Sequence, residues 1–109
     1  MSQYFPAASE LADRTISPGV GLRIMSSQHM SLSQATLAAD ATVPEHSHPH
    51  EQIGIVIDGR VRFTIGTEEK LLGPGDVFCI PGNVPHKVTV LDKPARIIDC
   101  FHPVRDEYR

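Results

Sequence analysis

Three histidines at alternate positions, His46, His48 and His50, lie in the segment HSHPHEQ and are followed at once by Glu51 and Gln52. Imidazole, carboxylate and amide are donors suited to a divalent transition metal. On an extended segment alternate side chains share one face, so His46 and His48 can reach a single ion. His50 keeps that parity, but Pro49 bends the chain before it. Gln52 opens the apolar run QIGIVI, in which Gly54 and Val56 share its face while Ile53, Ile55 and Ile57 face the other way. A polar residue heading an inward face needs a partner, and a metal is one. Glu51 is the competing donor, but its parity points it away from such an ion. Far along the chain, His86 follows the turn PGNVP and begins the run KVTV.

A second group of reactive side chains closes the sequence, in ARIIDCFHPVRDEYR. On a strand over 96–101, Ile97, Asp99 and Phe101 share one face. Turned inward, that face carries a carboxylate into an apolar interior, where it needs a cation, a metal-bound water or a ligand hydroxyl. Turned outward, Asp99 is solvated, Ile98 and Cys100 enter the core, and Arg105 is surface charge. Periodicity alone supports both orientations. Pro103 interrupts the strand, which lets Arg105 fold back over the molecule.

Positioning these groups falls to short strands punctuated by Gly, Pro, Asn and Asp. Strands are expected at Leu22–Ser26, His29–Ala38, Gln52–Ile57, Val61–Ile65, Lys70–Leu72, Asp76–Ile80, Lys87–Leu91 and Arg96–Phe101. IDGR at 57–60 signals a hairpin, and GPGD at 73–76 and PGNVP at 81–85 signal tight turns. Residues 7–14 suggest one helical turn with Ser9 as its cap. The pattern is that of an all-β sandwich or barrel.

The 109 residues fit one domain, 1–109. A net charge of −3 without a long basic run gives no footprint for nucleic acid. No apolar run approaches a membrane span, and the N-terminus lacks the basic start and apolar block of a signal peptide. Cys79 and Cys100 lie in the apolar runs DVFCIP and RIIDCF, which read as two buried thiols in a reducing cytoplasm. His29 and His102 stand alone and read as surface or satisfied core residues.

These motifs resemble those of the cupins, small β-barrels of jelly-roll type. The first cupin motif is matched by His46, Ser47, His48, then PHE, Gln52, IGIVID and Gly59. The second is matched by Gly75, DVFCI, Pro81, Gly82, Asn83, VP and His86. Gln52 stands where the family has an acid, and Asn83 where it has a second glycine, a turn position that Asn also tolerates. Val90 replaces the usual final Asn. The resemblance implies a single cupin domain with its barrel at about 20–102 and a tail at 103–109. It also implies one divalent ion held by His46, His48, Gln52 and His86. Nickel, zinc, manganese, cobalt and iron all suit such a set. A neutral Gln in place of Glu leaves the full dipositive charge on the site, which favours an anionic ligand.

The segment HSHPHEQ together with Asp99, Phe101 and Arg105 is similar to the single-domain cupins of the KdgF type, found in pectin and alginate breakdown. That resemblance implies an isomerase-like enzyme that linearises 4,5-unsaturated uronates to 5-keto-4-deoxyuronates. Asp99 would be the acid–base group, Phe101 would pack on the sugar, and Arg105 would hold the carboxylate or close the site. Arg60 and Arg62 are the alternative carboxylate partners. Rival readings on the same fold are a dioxygenase or sugar isomerase, and a non-catalytic sugar-binding cupin. A homodimer is expected, because small cupins commonly pair through sheet edges and exposed edges favour that.

Overall fold

A computed structural model describes residues 4–108, in which ten strands form two antiparallel sheets. The strands are β1 (Ala12–Ser17), β2 (Val20–Ser26), β3 (Ser31–Leu37), β4 (Thr42–His46), β5 (Glu51–Asp58), β6 (Val61–Ile65), β7 (Glu68–Leu72), β8 (Val77–Ile80), β9 (His86–Val90) and β10 (Ala95–His102). One sheet runs β1-β2-β3-β10-β5-β8 and the other β4-β9-β6-β7. The inner faces pack against each other as a jelly-roll sandwich. Among the described residues, no helix is long and apolar enough to cross a membrane.

Alternation of side chains decides what enters the core. In β3 the buried positions are Ser31, Ser33, Ala35 and Leu37; in β10 they are Ala95, Ile97, Asp99 and Phe101. In β5, Gln52 and Val56 are buried while Ile53 is 53% exposed, as the parity of QIGIVI predicts. The core residues Val20, Leu37, Val56, Val61, Ile80, Val90 and Ala95 are almost wholly buried. Gly59 closes the β5–β6 hairpin at φ +79°, and a Cβ there would collide with Pro94 and Ala95. Asn83 adopts φ +66°, the left-handed geometry expected of its turn.

Several expectations need correction. Residues 7–14 hold a short 3-10 turn, Ala8–Glu10, and then the start of β1. Its cap is not Ser9: the Glu10 carboxylate accepts from the Ala7 N–H at 3.1 Å. β3 begins at Ser31, because Ser27 and Met30 close a tight turn through their backbones and the Ser27 hydroxyl, leaving His29 exposed. β4 was not expected as a strand. It carries Pro44 and lies at a sheet edge, where a missing N–H breaks no ladder. The cysteines are not buried pairs of the core: Cys79 is exposed and Cys100 half-buried. Their neighbours Phe78, Ile80, Asp99 and Phe101 take the inward positions, so both thiols face outward.

Candidate metal centre

His46 ends β4, His48 lies in the connection to β5, and His86 opens β9, paired directly opposite His46. The two motifs are locked together by their turns. The Asn83 N–H donates to the His48 carbonyl at 2.7 Å, and Gly82 packs so closely on the Pro49 carbonyl that a Cβ would lie 2.5 Å from it. One ring nitrogen from each of His46, His48 and His86 lies within 4.8 Å of the others. His48 and His86 are buried and His46 is exposed at the rim.

The hydrogen bonds define which nitrogens face the centre. Nδ1 of His46 lies 2.9 Å from the Pro44 carbonyl, and Nδ1 of His86 lies 2.9 Å from the Val84 carbonyl. Nδ1 of His48 lies 3.0 Å from the His50 carbonyl. A carbonyl only accepts, so each ring carries its hydrogen on Nδ1 and presents a bare Nε2 lone pair. This backbone anchoring of the outer N–H is the usual support of a metal-binding imidazole. Nε2 of His86 is buried with no hydrogen-bond partner.

Gln52 sharpens the case. Its Nε2 donates to Asp99 Oδ1 at 3.2 Å, which turns Oε1 toward His48 Nε2 at 3.1 Å. With Nδ1 holding the hydrogen, a neutral His48 therefore meets the amide oxygen as acceptor against acceptor. A cation between them resolves that contact; protonation of His48 is the other remedy. Burial, and then the Arg105 charge, lower the pKa of His48 and so disfavour protonation. Burial lowers that of His86 to about 4. The donor set His46, His48, Gln52 and His86 fits a divalent ion. His50 is half-buried beside His48 and Glu51 is exposed on the outer face, so neither joins the cluster.

Asp99 points inward, 8% exposed, between Ser33 of β3 and Gly54 of β5. A Cβ on Gly54 would strike the Asp99 carboxylate and the Phe78 ring, so the glycine makes the room that the carboxylate occupies. Burial raises the Asp99 pKa to about 7, against the opposing hydrogen bond from Gln52. Phe101 is buried one level nearer the histidines, 5.7 Å from the His48 ring. The Arg105 guanidinium stacks 5.1 Å over Phe101. The Arg105 N–H donates to Ser31 Oγ at 3.2 Å, which folds the tail across the mouth. Arg60 and Arg62 do not reach this region: both are exposed, and Arg62 pairs with Glu69 at 3.7 Å.

A cavity of about 60 Å³ lies under the cluster, reached by His46, His86, Gln52, Asp99, Phe101 and Arg105. Sequence reasoning missed two residues here. Ser33 lines the cavity, is fully buried, and its hydroxyl has no hydrogen-bond partner. Its signal was its parity with Ser31 and Ala35 on an inward face. Glu107 holds Arg105 from the tail, at 2.6 Å from Nη2 and 2.8 Å from Nε. A wider concavity of about 410 Å³ lies on the outer face of the six-stranded sheet, beside Arg23, Gln34, Thr36 and Arg96. Its one carboxylate, Asp13, belongs to no cluster of metal donors among the described residues, so the smaller cavity is the candidate site.

Comparison with known proteins places this geometry in context. Residues 33–101 match the cupin domain family. The structure of KdgF from Halomonas sp. superposes with a TM-score of 0.83 and 28% identity, over 94% of this chain and 96% of that one. An RmlC-like cupin from Shewanella frigidimarina superposes at 0.88 with 22% identity, over 99% and 97% of the two chains. An uncharacterized protein of Streptomyces coelicolor is 27% identical over 92 residues, which span 84% of this chain and 88% of the relative.

Proposed function

The chain belongs to the cupin family, and from that premise we propose that it is a metal-dependent enzyme that linearises 4,5-unsaturated uronate monomers to 5-keto-4-deoxyuronates. The observation that carries this reading is the buried Asp99 carboxyl. It is bonded to the amide of the metal cradle and faces the same cavity as Phe101 and Arg105. Beyond orienting Gln52, a buried carboxyl that faces the cavity and whose pKa burial raises can act as an acid–base catalyst. Similarity to KdgF from Halomonas sp. supports the substrate class.

An unsaturated uronate carries its double bond between carbons 4 and 5, with the ring oxygen on carbon 5. Its ring is a masked enol. In the proposed reaction Asp99 takes the proton of the anomeric hydroxyl. The carbonyl forms at carbon 1 as the bond from carbon 1 to the ring oxygen breaks, and that electron pair becomes an enolate on carbon 5. Protonation at carbon 4 by the same carboxyl then gives the ketone. Atoms balance as an isomerisation. Facing the cavity, the Asp99 carboxyl is placed both to accept the anomeric proton and to return it at carbon 4. A divalent ion on His46, His48, Gln52 and His86 supplies Lewis acidity toward substrate oxygens. Arg105 orients the substrate carboxylate, for which its planar fork is suited. Its existing contact with the Glu107 carboxylate matches that chemistry. Phe101 supplies an apolar wall for the ring. The small cavity suits one end of a monosaccharide, with the rest of the ring at the mouth.

The test is direct. An unsaturated uronate monomer made by a lyase is mixed with the metal-loaded protein, and loss of the ultraviolet absorbance of the conjugated double bond is followed. The expected result is a rate well above the spontaneous one, abolished by a chelator and restored by added metal. Absence of acceleration by fully loaded protein would refute the substrate assignment while leaving the metal cradle intact.

A further inference from the structure

We propose that Ser33 receives the hydroxyl on carbon 2 of the sugar at the floor of the cavity, a role that rests on the uronate reading above. The register sets three levels of residues on the inward face of β3, β10 and β5. Nearest the mouth are Ser31, Phe101 and Gln52; next come Ser33, Asp99 and Gly54; below them lie Ala35, Ile97 and Val56. On these strands the inward polar side chains therefore end at the level of Ser33 and Asp99.

Ser33 stands at this boundary with Ile24 of β2 on one side and Asp99 of β10 on the other. Its hydroxyl is wholly buried, lines the cavity and has no hydrogen-bond partner. Such a hydroxyl is a cost to the fold. Ala35, two residues along the same face, shows that β3 accommodates a methyl group there. A serine at this depth is therefore accounted for by something that enters the cavity.

The shape of the sugar selects which of its hydroxyls that is. In the six-membered ring, carbon 5 carries the carboxylate and carbon 2 lies directly opposite it. Arg105, the partner of that carboxylate, is tied at the mouth through its backbone N–H to Ser31 Oγ on the first level. A ring held there by its carboxylate enters with carbon 2 deepest. Asp99 serves the neighbouring hydroxyl, on carbon 1, and pairs with Ser33 across the strands. Side chains so paired have Cβ atoms about 4.5–5.5 Å apart. Two oxygens on adjacent carbons thus meet two side chains on adjacent strands. A serine hydroxyl both donates and accepts, so it can hold a sugar hydroxyl in either sense. The hydroxyl on carbon 2 takes no part in ring opening or in protonation at carbon 4. The contact is shared by ground and transition states, and its loss belongs in KM rather than kcat.

The test pairs the metal-loaded wild type and Ser33→Ala with the unsaturated uronate and with its 2-deoxy analogue. Removing the hydroxyl from either the protein or the sugar should raise KM roughly three- to tenfold, the worth of one neutral hydrogen bond. Removing both should cost no more than removing one, so the analogue loses its penalty in Ser33→Ala. A wild type with equal KM for the two sugars overturns the proposal without need of a variant. So does a 2-deoxy penalty that persists undiminished in folded Ser33→Ala, which would seat that hydroxyl against another group. A Ser33 that serves only a structural water would leave KM for the uronate unchanged in Ser33→Ala, and that result also overturns it. Turnover of the uronate with no dependence on carbon 2 removes the role of Ser33 alone. A loaded wild type that turns over neither sugar refutes the uronate reading and this role together.

Discussion

The two ends of the barrel interior are equally buried and chemically opposite. At the end closed by the β5–β6 hairpin, Val61, Leu72, Val90 and Ala95 pack with no polar side chain among them. At the open end, Ser31, Ser33, His48, Gln52, His86 and Asp99 are buried together. The unpartnered buried side-chain atoms among the described residues are Ser33 Oγ, His50 Nδ1 and His86 Nε2, all on the open side. A buried polar group without a partner costs roughly 1–3 kcal/mol. The closed end contributes apolar burial, while the open end keeps polar atoms that the fold leaves unpartnered. The contrast separates residues whose loss should unfold the protein from residues whose loss should silence it.

The largest break in that contrast is expected at Asp99. Asp99→Asn keeps the shape and the contact with Gln52 but removes the acid–base group. In the uronate assay kcat should fall by about 10²–10⁴-fold with metal content unchanged. A variant that keeps full activity would remove Asp99 from the mechanism. The same variant has a signature in stability. The folded carboxyl titrates at about 7 and the unfolded one near 3.8. Between those values the folded chain retains a proton that the unfolded chain has lost. Its contribution therefore makes metal-free stability fall as pH rises from about 4 to about 7 and level off above. His86 acts in the opposite sense. Its folded value of about 4 lies below the ordinary 6.5, so its contribution is lost as pH falls through that window. The difference between wild type and Asp99→Asn in urea titrations across this range isolates the Asp99 slope.

What the sequence revealed follows this division of the molecule. Alternation in QIGIVI fixed the inward Gln52 and outward Ile53 because β5 is a central strand with one dry face. The cupin resemblance implied His46, His48, Gln52 and His86 as one ligand set; the structure gathers ring nitrogens of the three histidines within 4.8 Å and sets Gln52 Oε1 3.1 Å from His48 Nε2. Two of the four edge strands, β1 and β4, were not expected. β1 and β4 contain no residue as buried as those of β3, so apolar periodicity is faint in them. The cysteines were misread because DVFCIP and RIIDCF are apolar on both faces, and such runs do not reveal which face is wet. Asp99 was undecided for the same reason, until the register placed it opposite Ser33 and Gly54. Glu107 lies in a polar tail with no periodicity, and its contact with Arg105 arises only from how that tail folds.

A closed-end substitution tests the other half of the contrast. Leu72 is 4% exposed and lies opposite Val61. Leu72→Ala should lower unfolding free energy by about 2–5 kcal/mol through lost burial and a residual cavity. Metal content and kcat at temperatures where the variant is folded should stay within twofold of the wild type. A large drop in kcat in the folded variant would show that the two ends are coupled rather than separate.

The smallest effect is the most discriminating, because its two readouts should move in opposite directions. Ser33→Ala removes a fully buried hydroxyl that has no hydrogen-bond partner. If that hydroxyl serves a ligand, the ligand-free protein should become more stable by about 1 kcal/mol, since an uncompensated polar group is gone. The same change should raise KM several-fold with little effect on kcat, as loss of binding shared by ground and transition states does. A structural hydroxyl would behave otherwise, lowering the melting temperature and leaving KM untouched. Thermal unfolding of the ligand-free variant, set beside its KM, therefore decides whether the polarity of the open end is there for the fold or for what the cavity receives.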